Sequence, residues 1–155
     1  MDQKQLLEKI APCSLMCHTC TAYQKGIICN SATTLLRYLD GIECFYKKHM
    51  PDAVESYKNF ENILNKYSRG FCPGCRNGEH KGCCISGCFL IECTNEHNVD
   101  FCGECTCFPC DKVKDIFEDE VYNQWIAGNT YIKENGIEAF WEANREKPHY
   151  KAYKE

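Results

Sequence analysis

Four short cysteine clusters carry the chemistry that this chain can do. They read Cys13-Ser-Leu-Met-Cys17-His-Thr-Cys20, Cys72-Pro-Gly-Cys75, Cys88-Phe-Leu-Ile-Glu-Cys93 and Cys102-Gly-Glu-Cys105-Thr-Cys107-Phe-Pro-Cys110. A Cys-x-x-Cys turn points two sulfurs at one place, and two such turns complete a tetrahedron around zinc with Zn–S near ~2.3 Å. The expected ligands are Cys13, Cys17, Cys20, Cys72, Cys75, Cys88, Cys93, Cys102, Cys105 and Cys110. The Cys72 and Cys102 turns form the strongest pair. Small or turn-forming residues, Pro-Gly in one and Gly-Glu in the other, let backbone amides point at the sulfurs. The expected cofactor is zinc, as two ions, with a third site as an extension. The alternative is an iron–sulfur cluster, because Cys13, Cys17 and Cys20 leave an open coordination slot.

The other polar residues rank below these. Adjacent or alternate cysteines seldom all bind one ion, which keeps Cys83, Cys84 and Cys107 off the ligand list. Cys29 and Cys44 stand apart from the clusters, and Cys44 falls in a helical pattern that reads as a buried small hydrophobe. His18 and His97 lie inside or just after clusters and could substitute as ligands. His49, His80 and His149 read as surface residues. Arg76, Lys81, Lys112 and Lys114 neighbour the clusters and read as charge compensation for thiolates. No Gly-x-Ser-x-Gly, phosphate-binding glycine loop or His-Glu-x-x-His is present in the sequence. A thioredoxin-like reading of Cys-x-x-Cys needs a strand before and a helix after, within a βαβ pattern that is missing. The Cys-x-x-x-Cys-x-x-Cys spacing also matches the iron–sulfur triad of radical S-adenosylmethionine enzymes. Those need a large α/β barrel, for which no βα alternation is seen.

Elements must position these clusters. Asp2 can cap a helix with Leu6, Leu7 and Ile10 on one side, stopped by Pro12. Ser31 opens a second, with Leu35, Leu39, Ile42 and Tyr46 in helical register and a bend at Gly41. Pro51 opens a third, with Val54, Tyr57, Phe60, Leu64 and Tyr67 as a core stripe and Gly70 as its end. From Phe71 to Cys110 no period survives, and turns with very short strands are expected. Such a segment cannot offset its ordering entropy unaided, so metal must supply the stability. Helical texture returns with Val113, Ile116 and Phe117. It continues with Trp125, Ile126, Asn129 and Ile132, stops at Gly136, and resumes with Ile137, Phe140 and Trp141. The tail from His149 reads as frayed. The fold class is therefore a small α+β protein, mostly helical, with metal-stapled cysteine-rich loops resembling zinc-ribbon or treble-clef knuckles. It is read as a single domain over 1–155, with a helical insert 31–69 and a helical C-terminal segment 111–146.

Composition bounds the function. Apolar residues make up 44% of the 155, enough for a modest core. The net charge of −4, from 18 basic and 22 acidic residues, disfavours a broad nucleic-acid footprint. No apolar run has the length of a signal peptide or a membrane span. The expectation is a cytoplasmic protein whose thiols stay reduced and serve metal.

Together the clusters resemble an uncharacterised cysteine-rich prokaryotic domain-of-unknown-function family. Its pattern runs Cys-Gly-x-x-Cys-x-x-Cys-Pro-Ala-Tyr, Cys-x-Gly-Cys, Cys-x-Ile-Arg-x-Cys and Phe-Cys-x-x-Cys-x-x-Phe-Pro-Cys. This chain has Cys13 to Tyr23, Cys72 to Cys75, Cys88 to Cys93 and Phe101 to Cys110 in those places. It departs at Ser14, Thr21, Leu90 and Ile91, where the pattern has Gly, Pro, Ile and Arg. The resemblance implies metal binding and assigns no activity. The expected role is thus a zinc-binding, non-enzymatic module that binds a protein or small ligand around structural metal sites. The alternative is an iron–sulfur or thiol-redox enzyme using Cys13, Cys17 and Cys20.

Overall fold

The computed structural model describes residues 1–77, 85 and 87–153. His80, Lys81, Cys83 and Cys84, weighed above, lie outside the described residues. The protein is mostly helical, with few strands. Among the described residues, β pairing is confined to two isolated bridges, Ile10 with Met16 (antiparallel) and Tyr23 with Cys72 (parallel).

Helix α1, Gln3–Lys9, starts as its sequence dictates. The Asp2 carboxylate accepts from the Gln5 amide at 2.8 Å, and the Gln5 side chain accepts from the Asp2 amide at 3.1 Å. It ends at Ile10, which turns extended and bridges to Met16. Helix α2, Ile27–Tyr38, begins earlier than Ser31. Its buried side carries Cys29 and Ala32, while Leu35 is exposed, so the face that packs is rotated from the one the apolar spacing proposed. The Cys29 thiol donates to the Ser68 carbonyl at 3.1 Å, locking this early turn to α4. Gly41 breaks the chain before α3, Ile42–His49, where Cys44 is exposed rather than buried. Helix α4, Val54–Arg69, follows a turn begun by Pro51 and buries Tyr57 and Leu64 against α2. Phe60, expected in that stripe, is exposed.

Among the described residues between Phe71 and Cys110, irregular chain dominates, but not wholly. Helix α5, Leu90–Glu96, forms there because Leu90, Ile91 and Thr94 are buried. The Thr94 hydroxyl donates back to Leu90 and Ile91 carbonyls at 2.9 and 3.1 Å. Short 3₁₀ turns at Cys17–Thr19, Cys102–Glu104 and Asp111–Asp115 complete the cluster region.

Helix α6, Asp119–Asn144, is the spine, interrupted at Gly136 with φ 85° and ψ 165°. Past the break, Ile137, Phe140 and Trp141 join Leu6, Ile10, Met16, Phe101 and Ile132 in one core cluster. Before it, Trp125 centres a second cluster with Ala11, Cys13, Leu90, Cys102, Val113 and Phe117. The tail is docked rather than frayed. His149 is half-buried and donates Nδ1–H to the Met16 carbonyl at 2.8 Å, and the Tyr150 and Thr21 hydroxyls pair at 2.8 Å. No helix among the described residues is long and apolar enough to cross a membrane.

Candidate metal centres

Backbone pairing sews the first two cysteine clusters together. The Cys72 amide donates to the Ala22 carbonyl at 2.9 Å, and the Gln24 amide donates to the Cys72 carbonyl at 3.0 Å. Gly74 takes φ 96°, and a Cβ there would lie 3.1 Å from the Tyr23 ring, so the Cys72–Cys75 turn needs glycine in that place. Tyr23 is buried and donates its hydroxyl to the Glu8 carbonyl at 2.9 Å. Burial, with Cys17, Glu8 and Cys72 nearby, pushes its pKa up to about 12.

Arg76, the residue after that turn, is anchored by three contacts. It donates to the Leu7 carbonyl at 3.2 Å and the Asp100 carbonyl at 2.6 Å, and its guanidinium lies 5.2 Å from the Phe101 ring centroid. Burial lowers its pKa, while Asp100, Cys75, Cys17 and Cys13 oppose that shift. A cation therefore sits within electrostatic reach of three candidate ligands from two clusters, placed to offset thiolate charge. Cys20 is at the edge of this region. Its sulfur accepts from the Ala22 amide at 3.5 Å and lies 3.8 Å from the Tyr150 hydroxyl.

The third and fourth clusters meet around Trp125. The Cys102 amide donates to the Pro12 carbonyl at 3.1 Å, tying the fourth cluster to the first. Glu104 folds its carboxylate back onto the Asp100 and Phe101 amides at 2.8 and 3.0 Å, fixing the Cys102–Cys105 turn. Gly103 donates its amide to the Asn129 side chain at 2.8 Å. Asn129, fully buried, also donates to the Ser14 hydroxyl at 3.3 Å and the Trp125 carbonyl at 3.0 Å. One asparagine of α6 thus joins the first and fourth clusters. Ser14 holds φ 63°, a left-handed position where the resembled pattern carries glycine.

A cavity of about 280 Å³ opens at this second group, lined in part by Cys93, Cys102, Cys105, Cys107, Cys110 and His97. Trp125 also lines it, with Phe108 set edge-on to the indole at 4.9 Å between ring centroids. Burial, ahead of the neighbouring Cys93 and Cys110, pushes the Cys102 thiol up to about 11. The Trp125 indole N–H faces that sulfur and opposes the shift, yet makes no hydrogen bond of standard geometry among the described residues. Burial, then Cys110 and Cys105, also raises Cys93. Within this group, a ring nitrogen of His97 and the sulfurs of Cys105 and Cys107 lie within 4.8 Å of one another, a possible metal-binding triad. Cys88 packs on the same core cluster, as do Cys17, Cys75 and Cys110.

Sequence spacing ranked two of these three residues low. His97 stood as a substitute ligand and Cys107 as a surplus sulfur. Only the cap of α5 brings His97 back over the fourth cluster, and no local pattern announces that. His18 is not part of the triad. It packs on Trp141 at 5.0 Å between ring centroids, and burial, then Lys9, lowers its pKa.

The raised thiols set a pH dependence for the metal-free chain. A thiol whose pKa is higher folded than unfolded holds its proton more tightly in the native state. That contribution is complete below the ordinary thiol value of 9.0 and is lost as pH rises through about 11 at Cys102. Bound metal overrides that contribution, because it holds the ligand thiols deprotonated and protons then compete with the ion. Denaturant melts of the zinc-loaded chain should show a midpoint that falls as pH drops below neutral. A midpoint that holds or rises there contradicts this.

The site defines a cysteine-rich, mostly helical domain with a possible metal-binding triad. A family model described as "Protein of unknown function (DUF3795)" matches residues 9–115, and the chain belongs to that family. The matched span includes all four clusters. No curated protein and no solved structure matches the chain.

Proposed function

We propose that this is a zinc-binding protein with two structural metal centres, acting as a binding module for a protein or small ligand rather than as an enzyme. The observation that carries the reading is convergence. Clusters far apart in sequence come near one another: Cys13, Cys17 and Cys75 lie within electrostatic reach of Arg76, and Cys105 and Cys110 within reach of Cys93. The first ion is assigned to Cys13, Cys17, Cys72 and Cys75, with Cys20 beside it. The second is assigned to Cys93, Cys102, Cys105 and Cys110, with Cys88 beside it. All-thiolate sites are normally closed and structural. An amide that points at sulfur two residues back, as at Cys105, is the contact a zinc knuckle uses to orient its ligands. A reducing, cytoplasmic setting belongs to the same reading, since ligand thiols must stay unoxidised.

Substituting Cys17→Ser tests it. A structural centre loses metal and folding together, read as loss of zinc and of the cooperative thermal transition. A folded, metal-depleted chain would contradict the structural role and move the assignment to an enzyme using Cys13, Cys17 and Cys20.

A further inference from the structure

The second centre has an outer rim that reaches beyond the four inner cysteines to His97 and Cys107. His97 caps α5, and its Nδ1 lies 2.8 Å from the Cys93 carbonyl. A carbonyl only accepts, so Nδ1 carries the proton and Nε2 carries the lone pair. Metal-binding histidines are typically oriented in this way, by donating the other ring N–H to a backbone carbonyl. The Cys107 amide lies 3.5 Å from the Cys105 sulfur, which places a donor to support a thiolate. Cys107 and His97 are exposed and Cys105 is half-buried, so the donors face solvent at the cavity mouth.

We infer that His97, Cys105 and Cys107 form a third, solvent-open metal site, holding an exchangeable zinc ion whose fourth position is taken by water or an external donor. The inference rests on the zinc reading above and deepens it. Three protein donors leave the fourth position of a tetrahedral ion open, and with two of the three exposed, solvent and external chelators reach the ion directly. Cys105 is common to both groups, and as a bridging thiolate it joins the outer ion to the inner one. The ligand class is a soft divalent cation, and its loading and unloading leaves Cys93, Cys102 and Cys110 on the inner ion.

The test is zinc release from the zinc-loaded full chain to the chromogenic chelator 4-(2-pyridylazo)resorcinol, compared with the His97→Ala and Cys107→Ser chains. Both substitutions fall on exposed residues. The wild type should release a single equivalent quickly and the rest slowly. Each variant should lose the fast equivalent and keep the slow ones. Absence of a fast equivalent in the wild type overturns the inference, as does its persistence in both variants, while the zinc reading survives. A chain that holds no zinc at all overturns both.

Discussion

Stripping metal from the chain is expected to melt the cysteine region while leaving α2 and α4 folded. Among the described residues between 71 and 110, regular structure is confined to α5, the 3₁₀ turn at Cys102–Glu104 and the bridge at Cys72. Their burial runs through Cys102, Leu90 and Phe101, all placed by the cluster turns. A structural zinc site supplies on the order of 10 kcal/mol to such a segment. By contrast, α2 and α4 pack on each other through Cys29, Ala32, Tyr57 and Leu64, and none of the ten expected ligands lies in either helix. Hydrogen exchange with and without a strong chelator reads the difference. Amides of α5 and the Cys102 turn should lose protection, and those of α2 and α4 should keep much of theirs. Unchanged protection around the clusters would mean that metal does not hold them.

Gly103→Ala is expected to destabilise the protein severely. The added Cβ would sit 2.5 Å from the Asn129 carbonyl oxygen and 3.0 Å from its carbonyl carbon, both backbone atoms of α6. Neither can swing aside as a side chain can. The Cys102–Cys105 turn must move off the helix, which breaks the Gly103 amide to Asn129 bond and misaims two ligand sulfurs. Overpacking of this kind costs about 1–3 kcal/mol, and the buried Asn129 oxygen left unpaired adds about 1–3 kcal/mol. A thermal melt of the zinc-loaded chain should fall sharply, with weaker zinc retention. Asn129→Ala should act in the same direction and less strongly. A Gly103→Ala chain with the wild-type melting temperature would show that the turn and α6 are not in the contact described.

Much of this architecture is legible in local chemistry. Asp2 announces the start of α1, Gly41 and Gly136 the breaks in later helical stretches, and Pro51 and Gly70 the limits of the α4 segment. Those signals act over one turn of chain. What sequence spacing misplaced depends on partners far away. Leu35 and Phe60 fit helical stripes, yet the packed face of the hairpin is set by Cys29, Ala32, Tyr57 and Leu64, and the more apolar side faces out. Cys44 reads as buried by its pattern and is exposed for the same reason. Helix α5 was hidden because its short buried run sits between cysteines and is stabilised by Trp125 and its surroundings. The docked tail depends on His149 reaching Met16, 133 positions earlier.

At the site, Cys-x-x-Cys spacing names sulfurs without saying which of them meet. Arg76 shows why. Its role as the cation among Cys13, Cys17 and Cys75 comes from anchors on Leu7 and Asp100, at sequence distances of 69 and 24. Asn129 looked like one more position on an apolar helix face, and its hydrogen bonds to Gly103 and Ser14 appear only once α6 lies across both clusters. Ser14 departs from the glycine of the resembled pattern but keeps the left-handed backbone, and its hydroxyl takes part in that bridge.

The most direct test of the account is the metal content of the full chain, purified anaerobically without added chelator. Elemental analysis, acid-labile sulfide and a visible spectrum are read on the same sample. The account predicts a colourless protein with two firmly held zinc ions per chain, no sulfide and no iron. Extensive dialysis should leave those two in place and remove only the ion of the outer rim. A brown protein containing iron and acid-labile sulfide, or a folded chain with no metal, would contradict it.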